Sequence, residues 1–157
     1  MNPVTLQILL SLSPSPSSLS SSLSVIATIH NPTPQPITFL RWGTPLDPRA
    51  DLLGIFHIHD ETLDQPVVLD TVQMNRKWPP SEVDFVQILP ASSVEATVSL
   101  PLDRNKHEDR SGHEFSVQAK GRWHGVWSGT AKEVIALEGK QAERGEFESN
   151  IARTTLI

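Results

Sequence analysis

Val94-Glu-Ala-Thr-Val-Ser-Leu100 alternates apolar and polar residues without a break, so that Val94, Ala96, Val98 and Leu100 fall on one side. That period of two belongs to a β-strand with one buried face, because successive side chains leave opposite faces of the chain. Just upstream, Phe85-Val-Gln-Ile-Leu89 is a second strand, and Pro90-Ala-Ser-Ser93 is the turn between them. Downstream, a charged loop over 103–113 leads into Phe115-Ser-Val-Gln-Ala-Lys-Gly-Arg-Trp123, where Phe115, Val117 and Ala119 again share a face.

The same pattern extends toward the N-terminus. Val4 to Leu12 alternates and runs into a Ser/Pro-rich stretch over 11–22, read as a loop. Leu23-Ser-Val-Ile-Ala-Thr-Ile29 is a β-branched strand stopped by Asn31-Pro-Thr-Pro-Gln-Pro36, whose prolines cannot donate ladder hydrogen bonds. Ile37 to Trp42, Gly54 to His59 and the short Pro66 to Leu69 follow, with Asn75 to Pro80 as an irregular loop. Only Ala131 to Gln141 has the pattern of a helix, inside an otherwise irregular segment over 128–146, and Phe147 to Ile157 reads as a closing strand. Short strands with Pro/Gly/Asn turns at regular spacing predict an all-β protein. The expected fold is an immunoglobulin-like antiparallel β-sandwich of seven to nine strands with at most one short helix, in a single domain over residues 1–157.

Composition narrows the function. The 157 residues carry a formal net charge of −5 with both signs interspersed, which offers phosphate backbones no basic face and excludes nucleic acid as the expected partner. No apolar run reaches the length of a bilayer span. With no cysteine there is no disulfide, thiolate metal site or cysteine nucleophile. The N-terminal residues alternate like a strand and lack a basic leader, and Asn31-Pro-Thr is barred from glycosylation by its proline. These features together give the expectation of a cytoplasmic protein.

The order of landmarks resembles the N-terminal β-sandwich, the pro-region, of deuterolysin-type (aspzincin) zinc endopeptidases. The matching stretches are Ile29-His-Asn31, Phe39-Leu-Arg-Trp-Gly-Thr-Pro-Leu46, Ile55-Phe56, Arg76-Lys-Trp-Pro-Pro80 with Asp84, Ile88-Leu-Pro-Ala-Ser-Ser93 and the Val94 strand, in register over nearly the whole chain. The family places glycine in the turn after Leu-x-Pro, where Ala91 stands here. The resemblance implies the sandwich, with the chain stopping where the zinc peptidase would begin. The family's zinc motif is absent: His107-Glu and His113-Glu lack a second histidine at the required offset. Gly43, Thr44 and Asp47 echo a third-ligand string but lie within the strand-turn signature, so peptidase activity is not expected.

Several side chains are candidates for a site. His57 and His59 leave one face of a strand at a spacing metals can use, or line a solvated face while Phe56 and Ile58 enter the core. The chain has four tryptophans and no tyrosine. Trp42 ends a strand and is expected in or beside the core; Trp78 sits in a Pro-flanked loop beside Arg76 and Lys77, as a plug over one end of the sandwich or a ligand contact. Gly121-Arg-Trp-His-Gly-Val-Trp-Ser-Gly129 interleaves aromatics, a histidine and glycines at a strand end. A pocket built from these would be lined by Trp78, Trp123 and Trp127, with Arg41 giving a polar group and His57, His124 or Asp47 as acid–base candidates. No nucleophile elbow or phosphate-cradling loop occurs, and no cofactor is implied.

Two functions fit. One is a non-catalytic, pro-region-like interaction domain that binds a protein partner, a peptidase among the options. The other is a cofactor-free enzyme of isomerase or cyclase type, or a binder, for an apolar small molecule in a specialised biosynthetic pathway.

Overall fold

The computed structural model describes residues 5–14, 22–102, 112–136 and 141–156. Ten strands run as β1 (Gln7–Pro14), β2 (Ser22–Asn31), β3 (Ile37–Leu40), β4 (Phe56–Asp60), β5 (Gln65–Val67), β6 (Phe85–Ile88), β7 (Ser92–Pro101), β8 (Glu114–Ser128), β9 (Glu143–Glu148) and β10 (Ala152–Thr155). They form two antiparallel sheets. The smaller has the order β1-β2-β7; in the larger, β5-β4-β8-β3-β6 is joined by β9 and β10, both paired with β8. This is the expected sandwich.

Alternation explains how the sheets close on each other. Leu6, Ile8 and Leu10 around β1, Leu23, Val25, Ala27 and Ile29 on β2, and Val98 and Leu100 on β7 are buried against Phe39, Phe56, Ile58, Phe115, Val117, Ala119 and Trp123 of the larger sheet. The polar residues between them face outward. Phe56 and Ile58 enter this core from β4 while His57 is exposed.

The 15-residue β8 organises the larger sheet. Its first half lies between β4 and β10, with His57 opposite Gln118 and Arg153 opposite Ser116. Its second half lies between β3 and β9, with Phe39 opposite Val126 and Glu148 opposite Lys120. β3 is buried on both faces. Leu40, Trp42, Trp127 and Val134 make a second apolar cluster on the outer side, covered by the helix α1 (Ala131–Ala136). Thr130 caps this helix by accepting the Glu133 amide at 3.2 Å.

The elements differ from the expected ones in three places. The 128–146 segment, expected to be irregular, holds the end of β8, α1 and the start of β9. The helix pattern expected to reach Gln141 gives α1 over six residues, and 137–140 lie outside the described residues. The closing strand divides at Ser149-Asn-Ile151 into the end of β9 and β10. The 11–22 stretch is entered by β1 as far as Pro14 and by β2 from Ser22, while its residues 15–21, and 103–111 of the charged loop, lie outside the described residues.

Two side chains tie the ends together. The Leu10 amide donates to Asn150 Oδ1 at 2.7 Å, and Asn150 Nδ2 donates to the Leu10 carbonyl at 3.1 Å, so one amide side chain imitates a neighbouring strand. Asn31 is fully buried at the end of β2; its Nδ2 donates to the carbonyls of Gln35 and Ile88, and its Oδ1 accepts from the amide and hydroxyl of Thr33. Among the described residues no helix is long and apolar enough to cross a membrane.

Candidate functional site

The turn after β3 sets up one wall of a groove on the outer face of the larger sheet. Thr44 Oγ1 donates to the Arg41 carbonyl at 2.7 Å and closes the turn. Asp47 is buried beneath it, accepting the Gly43 amide on Oδ2 at 3.0 Å and the Arg49 amide on Oδ1 at 2.9 Å. The same carboxylate pairs with the guanidinium of Arg76, which comes from the 75–80 loop. Arg76 is thereby held over the ring of Trp42, with Cζ 5.9 Å from its centroid.

Trp42 is fixed from behind as well. Its indole lies beside Asp84, whose carboxylate accepts the Ser81 amide and hydroxyl at 2.9 and 3.0 Å. Lost hydration works to raise the Asp84 pKa, but the Ser81 and Trp42 hydrogen bonds and the Arg76 charge outweigh it and hold it below the ordinary 3.8. Trp78 meets Trp42 edge to face at 6.3 Å and is 66% exposed. An aromatic and a guanidinium thus stand beside the buried Trp42 ring.

The facing wall comes from β8 and β9. Trp123 pairs with Gly145 and Val126 with Glu143, so β8 carries one extra residue here, a bulge at His124 and Gly125. Trp123 is buried between Phe39 and Phe147 at 5.4 and 5.1 Å, which places Arg122 and His124 on the outer side. Arg144 reaches across from β9 and donates from Nε to the His124 carbonyl at 3.3 Å. The His124 ring lies against Gly43, where a Cβ would stand 2.9 Å from Nε2. Partial burial, with the charges of Arg76 and Arg144, lowers the His124 pKa below 6.5 and keeps the imidazole neutral at neutral pH.

The walls enclose an open groove of about 750 Å³. Leu40, Trp42, Met74 and Trp78 give it apolar surface, and every charged residue of its lining is an arginine: Arg76, Arg122 and Arg144. A surface of this kind can hold an extended chain and an anionic group without taking part in covalent chemistry. Asp47, whose charge acts on His124, has both oxygens committed to backbone amides and Arg76.

Of the candidates read from sequence, the structure brings Trp78, Trp123 and His124 to this groove, with Asp47 beneath it through Arg76. Trp127 lies apart, packed on Phe85 at 5.6 Å and bordering a smaller cavity of about 210 Å³ with Thr33 and Ile37. Arg41 does not line the groove; its Nε is buried without a hydrogen-bond partner. His57 and His59 stand on β4, and His59 Nε2 is 2.9 Å from Asp64 Oδ1. Among the described residues no group of three or more His, Asp or Glu side chains is placed to hold a metal. The groove residues that sequence reading did not select are Trp42, Met74, Asn75, Arg122, Arg144 and, as a lining residue, Arg76. Arg76 and Arg122 each stand close in sequence to a selected tryptophan; Arg144 gives no local signal.

Comparison with known proteins is consistent with this architecture. A model of an immunoglobulin-like domain matches residues 8–155. An uncharacterized secreted protein of Arthroderma benhamiae is 36% identical over 134 residues, covering 83% of this chain and 67% of that protein. The secreted relative overturns the cytoplasmic expectation. The absence of cysteine was the weak step, because a sandwich with a core this continuous does not need disulfides in any compartment.

Proposed function

Since the chain belongs to the immunoglobulin-like domain family, we propose that it is a secreted, non-catalytic binding domain that receives an extended stretch of a protein partner in the Trp42/Trp78 groove. The observation that carries this reading is Trp78, two-thirds exposed yet seated against a buried Trp42 that is roofed by Arg76. Tryptophan and arginine dominate binding energy at interfaces, and an aromatic held in place before contact loses little entropy on binding. The secreted relative supports an extracellular setting. The resemblance to peptidase pro-regions makes a deuterolysin-type peptidase the partner to test first.

The experiment is a titration of such a peptidase, by calorimetry and by inhibition, with the wild-type chain and Trp78→Ala. A complex weakened about 30-fold or more by the substitution, roughly 2 kcal/mol, is the expected outcome. The absence of both binding and inhibition would remove the peptidase as partner. Binding unaffected by Trp78→Ala would move the interface elsewhere.

The groove volume also falls within the usual range for small-molecule sites, which favours a second reading as a binder of a small ligand. Its three arginines suit an anion better than the wholly apolar molecule expected from sequence. Tryptophan fluorescence against a panel of apolar and anionic aromatic compounds separates the two readings.

A further inference from the structure

Arg122 and Arg144 line the same groove, and neither forms an ion pair with another described residue. Arg76, by contrast, is neutralised by Asp47. Glu146 stands opposite Arg122 in the ladder and lines a neighbouring cavity with it and Glu148, but closes no ion pair with it and is not part of the groove lining. A chain of net charge −5 thus places at one groove two guanidinium groups that have no ion-pair partner among the described residues. Beside them, β9 pairs with β8 alone, so among the described residues its other edge has no strand partner. That edge contributes Arg144 and Gly145 to the groove.

Resting on the partner-binding reading above, we infer that the groove selects an acidic, extended peptide segment. Its carboxylate sits between Arg122 and Arg144, and an aromatic or apolar neighbour packs on Trp42 and Trp78. Two guanidiniums match a carboxylate in charge and in fork geometry. The open β9 edge offers main-chain donors and acceptors that a peptide can pair with and a sulfated glycan cannot. Apolar surface around the cations also favours a mixed acidic–aromatic sequence over a pure polyanion.

The test uses the full chain and an acetylated, amidated Glu-Phe-Glu-Phe-Glu probe, with versions carrying Gln or Lys in place of Glu, read by tryptophan fluorescence and calorimetry. The acidic probe is expected to bind at least about tenfold more tightly than the Gln version and to lose that advantage in Arg122→Gln/Arg144→Gln. Raising salt from low to high is expected to remove the same advantage. Glu and Gln probes that bind alike, both weakened by Trp78→Ala, overturn the acidic class while leaving the groove as the binding site. Probe binding insensitive to Trp78→Ala overturns the groove itself. No binding of any probe overturns the inference, as does a heparin oligosaccharide that binds more tightly than the acidic peptide through the same two arginines. Circular dichroism of each variant confirms that the fold persists.

Discussion

Ala91 holds a φ of 56°, a left-handed backbone that its Cβ disfavours. Glycine, with no Cβ, takes the same conformation without that cost. Ala91→Gly is expected to raise stability by about 0.5–1 kcal/mol, read as an upward shift of the urea midpoint with unchanged slope. Asn31 shows the opposite case. Its place after a strand and before a proline marks it as a stop, yet nothing local shows that its amide reaches Ile88, 57 residues away. Asn31→Ala strands buried carbonyls and is expected to cost about 2–3 kcal/mol by thermal or chemical denaturation. Tryptophans were legible as special, but which of them faces a groove depends on partners such as Asp84 and Asp47 that only the fold assembles.

Among elements, strands that bury a face were readable and an open edge was not. β7 and β8 alternate because the core demands it, whereas Glu143-Arg-Gly-Glu-Phe-Glu148 buries only Phe147 and so has no apolar rhythm to detect. That element gives the groove Arg144 and Gly145, which is why Arg144 escaped notice. The bulge in β8 turns His124 toward Gly43, whose φ of 69° already favours glycine. Gly43→Ala is expected to displace the imidazole, strain the turn and weaken groove binding along with stability. His124 has a definite pH signature. Its folded pKa lies below the 6.5 of the unfolded chain, so on acidification the unfolded state takes up the proton first. Stability is full above 6.5 and falls as the pH drops through the interval down to the folded pKa. His124→Gln is expected to flatten that part of the profile, measured as urea midpoints between about pH 7.5 and 5. Asp84, held below 3.8, contributes its own loss only at lower pH.

At the scale of the whole molecule, the sandwich followed from pattern alone, while the charge of the site ran against the average. A net charge of −5 says nothing of a groove whose charged residues are all arginines, because the total sums over surfaces that never meet.

The central position of β8 has one more consequence, and it concerns time. Strands β3 and β4 precede it in the chain, yet both depend on residues 114–128 for a neighbour in the middle of the sheet, and Leu10 finds its partner only at Asn150. On the ribosome the first hundred residues can pair as β1-β2-β7, leaving the apolar inner face of that sheet without its opposite half. Such a chain gains its long-range contacts nearly all at once and late. Folding is therefore expected to be slow for its size, and the nascent chain to rely on chaperones until its last quarter emerges.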